Sequence, residues 1–340
     1  MRAPRTRRTK VAAAFFVILP ALGCSRLACA ASSDGHSAKA TAAVGVTPLA
    51  PLQVQRLEGS TGAGPALAEF AGNLYLAWKA PDRDGAIYWS RFDGFRWTPQ
   101  KKIEGVATST RPSLAALGRK LYIAWKGVDL DPGIWISSFD GTTWSPQTPI
   151  GTGATSVGPA ITAWGDTLYI AWKGPDVETG IWWSMLDLTS WTPQRLIDGV
   201  ATSTGPALAA WDGRLYAAWK GVDADTTIWF SAFDGTSWAP QKNIEGAVSS
   251  GRPALTAGCD RLYVAWNGPA YDPSIWWTSF NGHVFTPQQP VKEVATSTTP
   301  DIAEMGHQLY AVWKGTSLDW TGIYFAGGIA GDAGTTSPWR

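Results

Sequence analysis

The tryptophan of an Ala-Trp-Lys triplet stands at positions 78, 125, 172, 219, 266 and 313, always 47 residues apart; valine precedes it in the sixth copy and asparagine follows it in the fifth. The same period carries Pro65, Pro112, Pro159, Pro206, Pro253 and Pro300, and the Pro-Gln pairs ending at Gln100, Gln147, Gln194, Gln241 and Gln288. Such a repeat means one supersecondary unit copied along the chain, which buries its apolar faces only by stacking on its neighbours. Within residues 205 to 246 the pattern predicts four short strands, at 206–211, 214–220, 227–233 and 237–244. They are divided by Asp212-Gly213, by Gly221 to Asp225, and by Asp234-Gly235. Asp-Gly steps tolerate positive φ and mark hairpins, and the strands are rich in aromatic and β-branched residues. Leucine-rich units are shorter, and helical repeats need longer stretches without Gly and Pro.

Leu215, Ala217 and Trp219 alternate with Tyr216 and Ala218, so both faces of that strand are apolar, as a blade packed between two others requires. Residues 51 to 59, PLQVQRLEG, read as the fourth strand of a unit, and the sixth unit dissolves into Gly-rich sequence after Ile323-Tyr324-Phe325. The expected fold is therefore all-β: a six-bladed β-propeller over residues 51 to 330, whose N-terminal strand completes the last blade and removes the open edge. An open solenoid of β-repeats leaves the split terminal unit unexplained.

The flanks read differently. Residues 1 to 30 carry a basic stretch to Lys10, twelve uncharged and mostly apolar residues from Val11 to Leu22, and small residues ending in Ala28-Cys29-Ala30, the layout of a signal peptide. The apolar run is too short for a stable transmembrane anchor. Ala21-Leu22-Gly23-Cys24 resembles a lipoprotein box, which would instead anchor the chain through Cys24. Either route predicts a secreted, periplasmic or extracellular protein, and cleavage after Ala30 leaves Cys259 as the single cysteine, so no intrachain disulfide forms. Residues 31 to 50 read as a flexible leader and 331 to 340 as a tail. The formal net charge of +1 is misleading, because six basic residues lie in the first thirty; the rest has 22 basic against 27 acidic residues. A mildly acidic domain gives no field for nucleic acid or anionic lipid.

The recurring polar residues suggest a site. Lysine follows the tryptophan in five units, as Lys79, Lys126, Lys173, Lys220 and Lys314, with Asn267 in the other. Aspartate comes three residues after it at Asp82, Asp129, Asp176 and Asp223, and an acid five residues after it in every unit: Asp84, Asp131, Glu178, Asp225, Asp272 and Asp319. With the first strand nearest the axis, the loops between strands two and three share one side of the ring with the blade-to-blade connections. There Ser109, Ser156 and Ser203 join Trp78, Trp125, Trp172 and Trp219 and the Lys and Asp that follow each. An aromatic face with a few hydroxyl-binding charges is the chemistry of sugar recognition. The alternative reading makes each tryptophan a blade seal and each Lys and Asp a turn device. Asp82-x-Asp84 and its counterparts also suggest Ca²⁺, although two carboxylates fall short of its six or more oxygens.

On the other side, Ser231, Gly235 and Trp238, with Ser90, Gly94 and Trp97 and Ser137, Gly141 and Trp144, resemble in spacing the Asp box of sialidase-type propellers, with Asp234 one residue late. In unit length and tryptophan density the chain also resembles the repeat-propeller lectins of the tectonin, tachylectin and fucose-lectin groups, without matching their sugar-site motifs. These resemblances imply a propeller and raise glycan binding as its function. An enzyme should break the repeat, because an acid and a base need unequal surroundings. Glu69, Asp301 and Glu304 are the acids that do so, Arg111 and Arg252 replace a glycine in units two and five, and His283 and His307 are too dispersed in sequence to predict a metal cluster or a triad. The expectation is a non-enzymatic glycan binder with several shallow sites and no metal; a protein-interaction scaffold and a sialidase-like glycoside hydrolase are the alternatives.

Overall fold

The structure is a computed structural model that describes residues 53 to 330 apart from 82, 188 and 317. The expected signal peptide, the whole of the expected leader, the tail, Cys24 and Asp82 lie outside the described residues. The chain is all-β: six antiparallel blades stand in a ring, a six-bladed β-propeller, and among the described residues no helix is long and apolar enough to cross a membrane. Blade two shows the pattern, with strands Ser113–Leu117, Lys120–Lys126, Gly133–Phe139 and Thr148–Ala154. The first strands of neighbouring blades touch all the way round, which places them nearest the axis.

The last blade is built from both ends of the domain. Asp301–Met305, Gln308–Lys314 and Gly322–Ala330 supply three strands, and Val54–Ser60 pairs antiparallel with the third, Arg56 opposite Tyr324. Leu57 is buried, and Arg56 Nε donates to Asp319 Oδ2 at 2.6 Å, tying the closing strand to the loop between strands two and three. This interlock closes the ring by joining the two ends of the domain in one blade.

Two local features follow from backbone chemistry. Asp212 and Gly213 both take positive φ, 47° and 74°, as a two-residue hairpin requires. The fourth strand of that blade runs over Lys242–Val248, later than the sequence pattern predicts, because Pro240 has no N–H for the ladder. Residues Ser237 to Pro240 instead end the preceding hairpin, which the Phe233 to Trp238 bridge closes. Asp234 Oδ1 there accepts from the amides of Thr236 and Ser237, and those backbone bonds hold its carboxyl below the usual range.

Candidate functional site

Each blade opposes two aromatic residues across its second and third strands. In blades two to five these are Trp125 with Trp135, Trp172 with Trp182, Trp219 with Trp229, and Trp266 with Trp276; blades one and six pair Trp78 with Tyr88 and Trp313 with Tyr324. Directly opposed residues point to the same side of the sheet, here toward the preceding blade. Trp125 packs with Ile87 and Ile103 of blade one, and Trp172 with Ile134 and Ile150 of blade two. The second-strand ring is buried in every blade, with Trp125 0% exposed. A ring with no free face cannot stack on a sugar, so Trp78, Trp125, Trp172 and Trp219 seal blade interfaces.

The lysines beside them are buried as well. Lys126 Nζ donates to the carbonyls of Gly127 (3.1 Å), Asp129 (3.2 Å) and Asp131 (3.0 Å) and to Ser109 Oγ (3.0 Å). Lys173 reaches Ser156 Oγ and the carbonyls of Gly174 and Asp176; Lys220 reaches Ser203 Oγ and those of Gly221 and Asp223; Lys79 reaches the carbonyl of Ala80. The structure thus brings the predicted Lys, Asp and Ser together, but through the backbone of the Asp. Asp129, Asp176 and Asp223 have φ of 46°, 47° and 49°, a left-handed conformation that Asp tolerates, and their side chains are exposed. Burial pushes the Lys126 ammonium below its ordinary value, partly offset by Asp131, Asp129 and Asp176. The loop carbonyls that a calcium ion would need already accept from that ammonium.

The third-strand rings are a different matter. Tyr88, Trp135, Trp182, Trp229, Trp276 and Tyr324 are all half-buried, and in five blades the ring's polar hydrogen is held by the loop acid. Trp135 Nε1 donates to Asp131 Oδ2 at 2.8 Å, Trp229 to Asp225 at 2.9 Å and Trp276 to Asp272 at 2.7 Å; Trp182 donates to Glu178, and Tyr324 Oη to Asp319 at 3.0 Å. In blade one Asp84 accepts from the Ala86 amide. The glycine after the lysine allows this arrangement, since a Cβ at Gly127 or Gly221 would run into the carboxylate of Asp131 or Asp225. Burial alone would raise the Asp225 carboxyl, but hydrogen bonds from Thr227 and Trp229 and the charge of Lys220 bring it below its ordinary value. The acids were visible in the sequence as a sixfold feature. The Trp135 series was missed as a site, although its first five members are also 47 residues apart, because sequence does not say which of two neighbouring rings is exposed.

The residues that break the repeat also find partners. Glu69 Oε1 accepts from the Gly72 amide, and Asp301 pairs with Arg111 at 3.0 Å. Glu304 lies beside His307, whose Nδ1 is 3.0 Å from Cys259 Sγ, and one donor atom from each of the three lies within 4.8 Å of the others. Adjacent blades thus bring His307 to a thiol and a carboxylate, a proximity that the spacing of these residues in the sequence did not suggest. His283 lies in another hairpin.

No protein-family model matches the chain, and no curated protein does. Solved structures share its fold. The SapL1 lectin in complex with alpha methyl fucoside is 14% identical with a TM-score of 0.58, over 78% of this chain and 93% of that one. The fungal lectin of Aleuria aurantia, described as a six-bladed propeller with a fucose recognition mode, is 13% identical with a TM-score of 0.56, over 84% and 100% of the two chains. A protein of unknown function from Dyadobacter fermentans is 11% identical with a TM-score of 0.60, over 81% and 98%.

Proposed function

We propose that the protein is a non-enzymatic carbohydrate-binding propeller whose sites are the half-buried aromatic rings of the third strands, each with its loop carboxylate. The observation that carries this reading is the repeated pairing of an accessible indole with an anchored acid. The ring offers a face to pyranose C–H groups, and a carboxylate with about four lone-pair sites keeps acceptor capacity for sugar hydroxyls after binding the indole. Asp129, Asp176 and Asp223, with Ser109, Ser156 and Ser203, stand on the same side of the ring and supply further polar contacts around these sites. The likeness in fold to lectins solved with fucosides makes a fucoside the first ligand to try. Single sites of this shallow kind bind with Kd on the order of 0.1 to 1 mM, and several on one ring gain roughly a hundredfold or more on a dense surface. Titration with methyl fucoside and a glycan array, each with wild type and Trp182→Ala, tests the reading; no glycan binding, or binding indifferent to the third-strand rings, sinks it.

The protein acts outside the cytoplasm on this reading, and a mature N-terminus at Ala31 in an exported fraction is the expected result. A protein-interaction scaffold is favoured by one separate observation: Leu130, Val177, Tyr271 and Leu318 project from the loop tips almost fully exposed. Binding to a deglycosylated protein partner that Leu130→Ser and Val177→Ser weaken would support that alternative.

A further inference from the structure

The blade-to-blade connections converge on a pocket of about 380 Å³ to which all six blades contribute. Where each connection meets its first strand, the six equivalent positions are Gly64, Arg111, Gly158, Gly205, Arg252 and Thr299. Two arginines on opposite sides of a sixfold ring therefore replace residues without charge. The glycines leave room for them: a Cβ at Gly205 would stand 3.2 Å from Arg252 Nη1, and one at Gly64 3.8 Å from Arg111 Nη1.

The pocket has too few acceptors for its donors. Asp301 Oδ2 pairs with Arg111 Nη2, which also donates to the Pro65 carbonyl, and Arg252 Nη1 donates to the carbonyls of Gly158 and Pro159. Arg111 Nε and Nη1 and Arg252 Nε are buried without a partner, as are the hydroxyls of Thr110 and Thr298. Arg111 is about nine-tenths buried, its side chain 10% exposed. Buried polar groups are almost always hydrogen-bonded, so a group of orphaned donors in one pocket requires an explanation. Water would satisfy the N–H groups but not the charge, since one carboxylate faces two guanidinium groups. Desolvation, and after it repulsion from Arg111, pushes the Arg252 guanidinium down to about 9, still protonated at neutral pH.

We propose that this axial pocket binds a small oxoanion, a carboxylate, sulfate or phosphate group, held between Arg111 and Arg252 and by the Thr110 and Thr298 hydroxyls. Planar guanidinium forks match such groups with paired N–H···O bonds, and a volume of this size also holds a small carrier such as an acidic monosaccharide. The site is separate from the rings between the blades and stands whether or not those bind sugar.

Calorimetric titration of the folded domain with inorganic phosphate and with glucuronate, against glucose at equal ionic strength, is the test. One saturable site per chain for at least one anion is expected, with the two arms distinguishing a free oxoanion from a sugar acid. R111G/R252G restores the glycine of three other blades and should lower affinity by about 30-fold or more while melting as a folded protein. Asp301 Oδ2 also accepts from the Leu67 amide, as Ser113 Oγ does from the Ile161 amide one blade step away, so D301S keeps that bond and removes the competing charge. It should tighten anion binding by about 3- to 10-fold. Absence of saturable binding of either anion, an unchanged affinity in R111G/R252G, or weaker binding in D301S would overturn the proposal. A neutral fucoside titrated in parallel reports the interblade sites alone, so failure of either site is read independently.

Discussion

Trp125 and Trp135 sit opposite one another on neighbouring strands, on the same side of one blade, yet one is buried and the other half-open to solvent. The inner ring is covered by the preceding blade; the outer one carries its N–H to Asp131 on the loop. The difference shows that a repeated aromatic residue is sealed in an interface or left partly open to solvent according to its distance from the axis. Distance matters because blades diverge from the axis outward, which closes the space over the second strand and opens it over the third.

Trp125→Ala should cost about 3 to 5 kcal/mol, the range for emptying a well-packed aromatic site, and lower the midpoint of thermal unfolding accordingly. Trp135→Ala should cost far less and reduce glycan binding instead. Equal losses of stability in the two variants, measured by denaturant titration, would erase the distinction between seal and platform.

Lys126→Met tests whether the loop beneath the platform depends on the buried ammonium. It leaves the carbonyls of Gly127, Asp129 and Asp131 without that donor, and a loss of about 1 to 3 kcal/mol is expected. A neutral or stabilising result would mean that these carbonyls find water and that the lysine is dispensable.

Glu178→Gln separates the indole anchor from the acceptor for sugar. The amide oxygen still accepts from Trp182, so stability should change by less than about 0.5 kcal/mol, while affinity at that blade should fall by about threefold to tenfold. An unchanged affinity in a protein reduced to that one site by third-strand substitutions elsewhere would remove the carboxylate from the binding set.

The smallest effect is a titration. The folded Asp225 carboxyl lies below its unfolded value of about 3.9, so the stabilisation it provides is full above that pH and is lost as pH falls through the folded value. The indole N–H resonance of Trp229 should hold constant from pH 7 to 5 and move with a midpoint below about 3.9. A midpoint above 4.5 would show that the carboxylate is not stabilised in the loop.

The number of blades, the first three strands within them and the closure by the N-terminal strand were legible in the chain, because a 47-residue period and alternating apolar residues specify a unit that must stack on copies of itself. Local chemistry likewise placed the Asp212-Gly213 hairpin. The fourth strand was less legible, since Trp238 draws its predicted start back to Ser237, whereas the ladder begins only after Pro240. Among the candidate site residues, the types were visible but not which of them the neighbouring blade covers. Trp125 and Lys126 look like a sugar platform with its cation, yet the neighbouring blade covers the one and the loop carbonyls surround the other. Arg111 was visible as an exception to the repeat, and Cys259 as a single thiol. That Arg111 and Arg252 share a pocket with orphaned donors, and that Cys259 meets Glu304 and His307, was decided only by closing the ring. A repeat determines what each unit contains, because folding within a unit depends on local contacts; what a side chain faces depends on the blade beside it or across the axis, and that relation exists only in the assembled propeller.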